Sequence, residues 1–249
     1  MAEQITLIFD GDDTLWKTHY LYEEVKTQAV TLLNDAGVEV NRDAFAQKVN
    51  EFSVAIGKSQ GFTNTRFPRA LTGAYRHFCE QQLVDPDEKI SEQLWRLGAS
   101  VATKPSKLMP HAREMLEVLS AEYDCILYTL GEREQQLSRL NSVSLAPYFK
   151  HVFTVLHKGE PALRQILSEL NLNPALTWMI GNSASSDIKP ALKLGLNCIW
   201  FHTEHWLFDD ADIDTSKVHE ITSLEEVIPI IKTWERERKL RDYMSKVTC

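Results

Sequence analysis

Residues 5–16 read Ile-Thr-Leu-Ile-Phe-Asp-Gly-Asp-Asp-Thr-Leu-Trp, the most informative stretch of this chain. Its first five residues are aliphatic, aromatic or β-branched and are followed by turn formers, which predicts a buried β-strand. Asp10, Asp12 and Asp13 come directly after that strand. Carboxylates crowded at the end of a buried strand repel one another and lose hydration, so the arrangement costs free energy. Such a cost indicates a functional site.

The composition is that of an ordinary globular protein. The chain has 249 residues, 43% of them hydrophobic and 25% charged, and a net charge of −8. The negative charge argues against nucleic-acid partners and anionic membrane surfaces. No apolar run is long enough to span a bilayer, and the N-terminus lacks a signal-peptide pattern. The four cysteines (Cys79, Cys125, Cys198, Cys249) are scattered, and Cys125 and Cys198 lie in strand-like runs, which predicts buried thiols in a reducing cytoplasm.

Strand-like and helix-like segments alternate from residue 110 onward. Four further strand-like runs occupy residues 125–129, 151–155, 177–180 and 198–201. Helical patterns open at Pro110 and Pro161, and a short one is expected from Ile188 to Gly195. This alternation predicts an α/β fold with a doubly wound, Rossmann-like parallel sheet.

The segment 17–106 has a different pattern. It lacks a convincing strand but carries apolar stripes at helical spacing, such as the one formed by Phe67, Ala70, Leu71 and Ala74. We therefore expect an all-helical cap domain, residues 17–106, inserted into a core formed by residues 1–16 and 107–249. The charged run from Trp234 to Lys246 predicts a C-terminal helix with a solvated face.

Polar residues follow four of the predicted strands. They are Asp10 to Thr14, Thr129, Lys158, and Gly181 to Asp187. In a parallel sheet, reacting groups collect beyond the carboxyl ends of the strands. Paired carboxylates can hold Mg²⁺, a metal and a lysine can neutralise a phosphoryl group, and a carboxylate can attack phosphorus.

This set of motifs resembles the haloacid dehalogenase superfamily, in its phosphatase-like branch with a helical cap. The resemblance implies that Asp10 is the nucleophile and that Asp12 is the general acid and base. It implies that Thr129 and Lys158 hold the phosphoryl oxygens. It also implies a Mg²⁺ site formed by Asp10, the backbone carbonyl of Asp12, and Asn182.

Four further residues are candidates for substrate binding. Thr14 belongs to the first motif and Gly131 follows the second. Arg66 and Arg69 lie at the end of the glycine-containing tract 57–66, which is either a flexible turn between helices or a loop that reaches over the active site.

Two positions depart from the family's commonest pattern. Asp13 stands where glycine is usual, and its role is open. Asn182 stands where aspartate is usual, and a neutral amide oxygen should bind Mg²⁺ more weakly unless Asp187 contributes. Asp187 also lies where a helix N-cap is expected, so it is either a metal ligand, a cap, or both.

The function predicted is Mg²⁺-dependent hydrolysis of a small phosphorylated metabolite through an aspartyl phosphate. Three alternatives remain. A phosphomutase would use the same core, and only its products would distinguish it. A haloacid dehalogenase would not need the acid at Asp12. A non-catalytic protein that binds phosphometabolites or another protein is kept open by Asn182.

Overall fold

The computed structural model describes residues 4–203 and 212–247. Six parallel strands form one sheet in the order β5-β4-β1-β6-β7-β8, which confirms the predicted α/β class. These strands are β1 (Thr6–Phe9), β4 (Asp124–Leu130), β5 (His151–Val155), β6 (Thr177–Gly181), β7 (Asn197–Phe201) and β8 (His219–Ile221). A separate ribbon pairs β2 (Trp16–Lys17) with β3 (Lys107–Leu108).

Strand β1 lies in the middle of the sheet and contributes to both of its faces. Phe9 pairs with Leu127 of β4 on one side and with Ile180 of β6 on the other. Leu7 and Phe9 belong to one buried cluster and Ile8 to another, as the alternation of side chains along a strand requires. Asp10 therefore begins its turn from a strand that is fixed on both edges and both faces.

Helices cover the two faces of the sheet. The core helices are α5 (Ala112–Ser120), α6 (Arg133–Ser142), α7 (Glu160–Glu169), α8 (Lys189–Lys193) and α9 (Val227–Val247). Buried side chains of α5, α6 and α9 pack with Leu7 and Phe9, whereas those of α7 and α8 pack with Ile8. This two-sided covering is what a doubly wound sheet requires.

The segment between β2 and β3 is helical. It consists of α1 (His19–Asp35), α2 (Arg42–Gln60), α3 (Arg66–Gln81) and α4 (Glu88–Ser100). Its buried side chains form a cluster of their own, from Leu21 to Val101. We propose the division expected from the sequence, a core of 1–16 and 107–249 and a helical insert of 17–106, because the β2–β3 ribbon joins the two chain crossings.

Two expected helices are confirmed, with boundaries that differ from the expectation. Helix α9 begins at Val227, earlier than the charged run, and its first turns are buried through Val227 and Ile231. The short helix expected from Ile188 is α8, and it is preceded by a π-helical turn, Ala184–Ile188, whose N-cap is Ser183. Charge patterning shows the exposed half of a helix, so it missed the apolar first half of α9.

Two features of the structure concern the cellular environment of the protein. Cys79, Cys125 and Cys198 are buried free thiols, and Cys249 lies outside the described residues. Of the helices in residues 4–203 and 212–247, not one combines the length and apolar character needed to cross a membrane.

Candidate active site

Asp10 lies at the carboxyl end of β1 and is 5% exposed. Its Oδ1 accepts a hydrogen bond from Lys158 Nζ at 2.5 Å, and its Oδ2 accepts one from the Thr14 hydroxyl at 2.9 Å. Burial raises the pKa of Asp10 to about 7, against the opposing effect of the Lys158 ammonium. The carboxylate is thus held in a fixed orientation by two donors while it remains on the wall of a cavity.

Gly11 allows the chain to turn closely beneath two side chains. A Cβ atom at this position would lie 2.5 Å from Trp16 Cζ2 and 2.9 Å from the Thr129 hydroxyl. A larger residue would displace both neighbours, so glycine is required between the two acids.

Asp12 lines the same cavity and accepts three hydrogen bonds. Its Oδ1 accepts from Trp16 Nε1 at 2.6 Å, and its Oδ2 accepts from Gln136 Nε2 at 3.1 Å. Arg139 donates to the same Oδ2 and forms an ion pair with it. Burial works against the charge of Arg139, yet the Asp12 carboxylate raises the pKa of this guanidinium. Asp12 is therefore oriented toward the cavity by residues of α6.

Asp13 faces away from this pair and contacts the start of the helical insert. Its φ of 60° lies in the left-handed region, where glycine is favoured and Asp is tolerated. Its carboxylate accepts hydrogen bonds from the backbone N–H groups of Thr18, the N-cap residue of α1, and of His19, the first residue of that helix. Asp13, the third acid of the motif, thus caps the start of α1, a role that the sequence alone left open.

Lys158 bridges two acids. Its Nζ lies 2.5 Å from Asp10 Oδ1 and 2.5 Å from Asp187 Oδ1, and both side chains of this second pair are almost fully buried. Although burial opposes the charge of Lys158, the two carboxylates raise its pKa above the ordinary range. Asp187 Oδ2 accepts from the backbone N–H of Ser183 at 3.0 Å. Because that N–H precedes Asp187 by four residues, the N-cap interpretation of Asp187 was wrong.

Asn182 directs its amide oxygen toward the first motif. Its Nδ2 donates to the Thr203 hydroxyl at 3.1 Å, and its Oδ1 lies 3.4 Å from the Thr14 hydroxyl that also contacts Asp10. Oxygens of Asp10 and Asn182 thus flank one hydroxyl group. An all-oxygen set of this kind suits Mg²⁺, so these residues fit the metal that the sequence predicts.

The metal site predicted here has few acidic side chains. In the described part of the chain, no group of three or more His, Cys, Asp or Glu is arranged to hold a metal ion. The predicted set differs from such a group because Asn182 would contribute an amide oxygen and Asp12 a backbone carbonyl. Asp10 and Asp187 both form an ion pair with Lys158, so Asn182 and Asp187 both stay candidates for the metal site.

Thr129 and Thr14 are fully buried beneath the cavity. The Thr129 hydroxyl donates to Gln136 Oε1 at 3.2 Å, and that of Thr14 donates to Asp10. Their hydroxyls therefore support cavity residues in this arrangement, and their contact with substrate stays a prediction. Gly131 lies on the cavity wall, with a φ of 140° and its N–H bound to Val155 O at 2.8 Å.

Residues 57–60 of this tract are the end of α2, and the residues that follow reach the core, whereas contact of the tract with substrate stays a prediction. Phe62 N–H donates to Leu156 O at 2.9 Å, and Asn64 donates to both oxygens of Glu132 at 2.7 Å and 3.0 Å. Arg66 is 8% exposed and lines the cavity. Arg69 is exposed and outside the cavity, because its guanidinium binds Gln60 on the insert surface. The expectation that Arg69 faces the substrate was wrong.

These residues enclose one small cavity between the insert and the core. Its volume is about 60 Å³, well below the roughly 300–1,000 Å³ of typical ligand pockets. Its lining includes Asp10, Asp12, Arg66, Lys158, Asn182 and Asp187. The structure thus shows the insert closed over the carboxylates.

Sequence reasoning missed several residues of the lining, among them Gln136, Arg139 and Tyr22. Gln136 and Arg139 lie three positions apart on α6, which follows β4, the strand that contains Thr129. Tyr22 lies on α1 of the insert. The signal that could have found Arg139 is weak: a polar pair at helical spacing after a strand with a functional residue at its end.

The chain is similar to known proteins over most of its length. The model of the haloacid dehalogenase-like hydrolase family matches residues 6–195. A glyceraldehyde 3-phosphate phosphatase of Methanocaldococcus jannaschii is 24% identical over 93% of this chain and 98% of that protein.

Solved structures share the fold. A haloacid dehalogenase-like hydrolase from Xanthomonas campestris has a TM-score of 0.75 at 21% identity, covering 94% of this chain and 97% of that one. The HAD-hydrolase YfnB from Bacillus subtilis, bound to magnesium, has a TM-score of 0.64 at 21% identity, covering 92% and 99%.

The fold and the buried acid at the end of β1 define a hydrolase with a carboxylate at its centre. The family model covers well over half of the chain. This protein belongs to the haloacid dehalogenase-like hydrolase family, as its motifs predict.

Proposed function

We propose that this protein is a phosphatase that hydrolyses a small phosphate monoester through an aspartyl phosphate on Asp10. The observation that carries the proposal is the pairing of Asp10 with Lys158 at 2.5 Å on the wall of a closed cavity that Asp12 also lines. Lys158 offsets negative charge on both the nucleophile and an incoming phosphoryl group. The similarity to a glyceraldehyde 3-phosphate phosphatase adds support.

In the first step an Asp10 oxygen bonds to phosphorus as the bond from phosphorus to the leaving oxygen breaks. Asp12 gives its proton to that oxygen, which departs as an alcohol. Because Asp12 now accepts three hydrogen bonds, it must take up a proton and release one donor before this step. Displacement of Arg139 would leave Asp12 Oδ2 with the Gln136 hydrogen bond alone.

In the second step Asp12 takes a proton from water, whose oxygen bonds to phosphorus as the bond to Asp10 breaks. Inorganic phosphate leaves and the Asp10 carboxylate is restored. The three donors around Asp12 suit this step, because they orient an ionised carboxylate that accepts the proton. Closure of the insert keeps other water from the aspartyl phosphate.

Asp10, the backbone carbonyl of Asp12 and Asn182 would hold Mg²⁺, with Asp187 as an additional candidate. When bound, the ion would neutralise phosphoryl charge that the acids alone would repel. The cytoplasm is the proposed location, in keeping with the free thiols of the described cysteines.

A burst experiment with acetyl phosphate tests the roles of the two acids. Acetate needs no proton to leave, so Asp12→Asn should release about one acetate per protein rapidly and then turn over slowly, because the second step lacks its base. The acyl phosphate should be recoverable on Asp10. Asp10→Asn should show neither burst nor turnover.

Four outcomes would redirect the proposal. A burst in folded Asp10→Asn would remove Asp10 as nucleophile. Transfer of the phosphoryl group to an added sugar in preference to water would indicate a phosphomutase. Binding of phosphate esters without any burst in the wild type would indicate a non-catalytic member. Release of halide from a haloacid with no burst on acetyl phosphate would favour a dehalogenase.

A further inference from the structure

Arg66 is a buried cation without an acidic partner in the described residues. Its guanidinium donates to the Ser53 hydroxyl, lies 4.6 Å above the Phe62 ring, and interacts with Tyr22. Burial lowers the pKa of Arg66, with a further contribution from nearby Arg139. An unpaired buried charge is costly, so its persistence indicates a partner that arrives from outside the chain.

Every other cation on the cavity wall is already paired. Lys158 contacts Asp10 and Asp187, and Arg139 contacts Asp12. The charged lining thus consists of three carboxylates and three cations, of which Arg66 is the one left unpaired among described residues. A ligand that reaches Arg66 meets a positive charge that no residue of the site neutralises.

Arg139 adds donors on the same side of the cavity. Its Nε and Nη2 are buried without a hydrogen-bond partner, while Nη1 is the atom that contacts Asp12. Tyr22 interacts with both guanidinium groups and so connects them. Buried donors without a partner are unfavourable, and an anionic ligand between these groups would supply the missing acceptor.

We propose, as an extension of the phosphatase function above, that the alcohol portion of the substrate carries a carboxylate that Arg66 binds. A guanidinium matches a carboxylate through two parallel hydrogen bonds, whereas a neutral hydroxyl leaves the charge uncompensated. The cavity, about 60 Å³ in this arrangement, favours an alcohol of a few carbon atoms. The substrate class is the phosphate monoester of a small hydroxy acid.

Matched esters test the assignment. Phosphoglycolate, ethylene glycol monophosphate and phosphoethanolamine share a two-carbon skeleton and differ in a terminal carboxylate, hydroxyl or ammonium. The wild type should hydrolyse phosphoglycolate with a kcat/KM roughly 10- to 100-fold above that for ethylene glycol monophosphate, the range expected of a charge-assisted contact. Phosphoethanolamine should be the poorest of the three.

Variants at Arg66 test whether this residue causes the preference for phosphoglycolate. Arg66→Met should bring the phosphoglycolate to ethylene glycol monophosphate ratio close to one, and Arg66→Lys should leave an intermediate ratio because an ammonium cannot form the paired contact. The matched control is Arg69→Met, three residues along the same helix and outside the cavity, which should keep the wild-type ratio. A ratio near one in the wild type, or a wild-type ratio in folded Arg66→Met, would overturn the proposal.

Binding separates this proposal from the phosphatase function. In Asp10→Asn, calorimetric titration should show tighter binding of phosphoglycolate than of ethylene glycol monophosphate, and the added Arg66→Met change should remove the difference. This readout is independent of turnover. If the wild type does not hydrolyse these esters but the binding difference is present, the phosphatase proposal is contradicted and the role of Arg66 is not. If the esters are hydrolysed but bind equally well, the role of Arg66 is contradicted.

Discussion

The carboxylate of Asp13 accepts two hydrogen bonds from Thr18, one from its backbone N–H at 2.7 Å and one from its hydroxyl at 2.8 Å. Asp13 follows Asp12 on the core, and Thr18 is the N-cap residue of α1 in the helical insert. The motif that supplies the reacting acids is therefore attached directly to the element that closes over them.

Replacement of Asp13 should weaken this attachment. Asp13→Ala loses the helix cap and places alanine at a φ of 60°, so we expect the free energy of unfolding to fall by about 2 kcal/mol. Asp13→Asn should lose less than half as much, because asparagine tolerates this φ and its amide oxygen still accepts. Urea unfolding of both variants measures the difference, and equal losses would contradict the cap assignment.

The raised pKa of Asp10 predicts a stability that depends on pH in the metal-free protein. The unfolded carboxyl ionises near its ordinary value of 3.8, whereas the folded one keeps its proton up to about 7. The wild type should therefore lose stability as pH rises through this window, by a few kcal/mol at most. The Asp10→Asn variant has no carboxyl group at this position, so this loss of stability should be absent from it.

The stability difference between Asp10→Asn and the wild type should thus grow in favour of the variant from about pH 4 to about pH 8. Urea unfolding in the presence of a chelator measures it, with the exposed Asp85→Asn as control. A constant difference across this range would show that the pKa of Asp10 is not raised in the folded state.

Substitution of Asn182 tests the metal site. Asn182→Asp should place a carboxylate where the amide oxygen now faces Thr14, and its attraction for Mg²⁺ is on the order of one to a few kcal/mol. The midpoint of Mg²⁺-dependent thermal stabilisation should fall at least several-fold. Repulsion from Asp10 and Asp12 reduces the gain without reversing it, because a dication attracts each acid more strongly than the acids repel one another.

The control for this experiment is Thr203→Val. It removes the hydroxyl that Asn182 Nδ2 contacts, a contact that Asn182→Asp also alters. An unchanged or higher Mg²⁺ midpoint in Asn182→Asp would place Asn182 outside the metal site and favour Asp187.

The contact between Asn64 and Glu132 should stabilise the closed position of the insert. Glu132→Ala removes both acceptors of Asn64, so the open form gains population and KM should rise up to about tenfold. Hydrogen exchange at Phe62, whose N–H binds Leu156 O, should accelerate. Glu134→Ala is the control, because Glu134 is exposed in the first turn of α6, two positions after Glu132. An equal effect of this control would show that the contact between Asn64 and Glu132 does not stabilise the closed position.

Periodicity predicted the sheet because its five longer strands are apolar runs that end at polar residues. It missed β2, β3 and β8, which are two or three residues long and too short to show alternation. The positions of Asp10 and Lys158 followed from strand order, since the carboxyl ends of parallel strands meet.

The partners of the acids could not be predicted in the same way. Arg139 reaches Asp12 from a helix, and the sequence of that helix does not show which polar side chain faces inward. The role of Asp13 depends on its backbone conformation, which residue type alone does not determine. Arg66 and Arg69 looked equivalent in the sequence, and only the packing of α2 against α3 separates them.

The central place of β1 has a consequence for synthesis of the chain. Its two neighbours, β4 and β6, begin at Asp124 and Thr177, so β1 has no sheet partner until about half of the 249-residue chain has left the ribosome. The helices of the insert make contacts that are close in sequence and form early, whereas long-range strand pairing is slow. Nascent β1 is apolar and has unpaired edges throughout this interval. Binding of β1 by chaperones during translation would follow from the same topology that places Asp10 at the centre of the site.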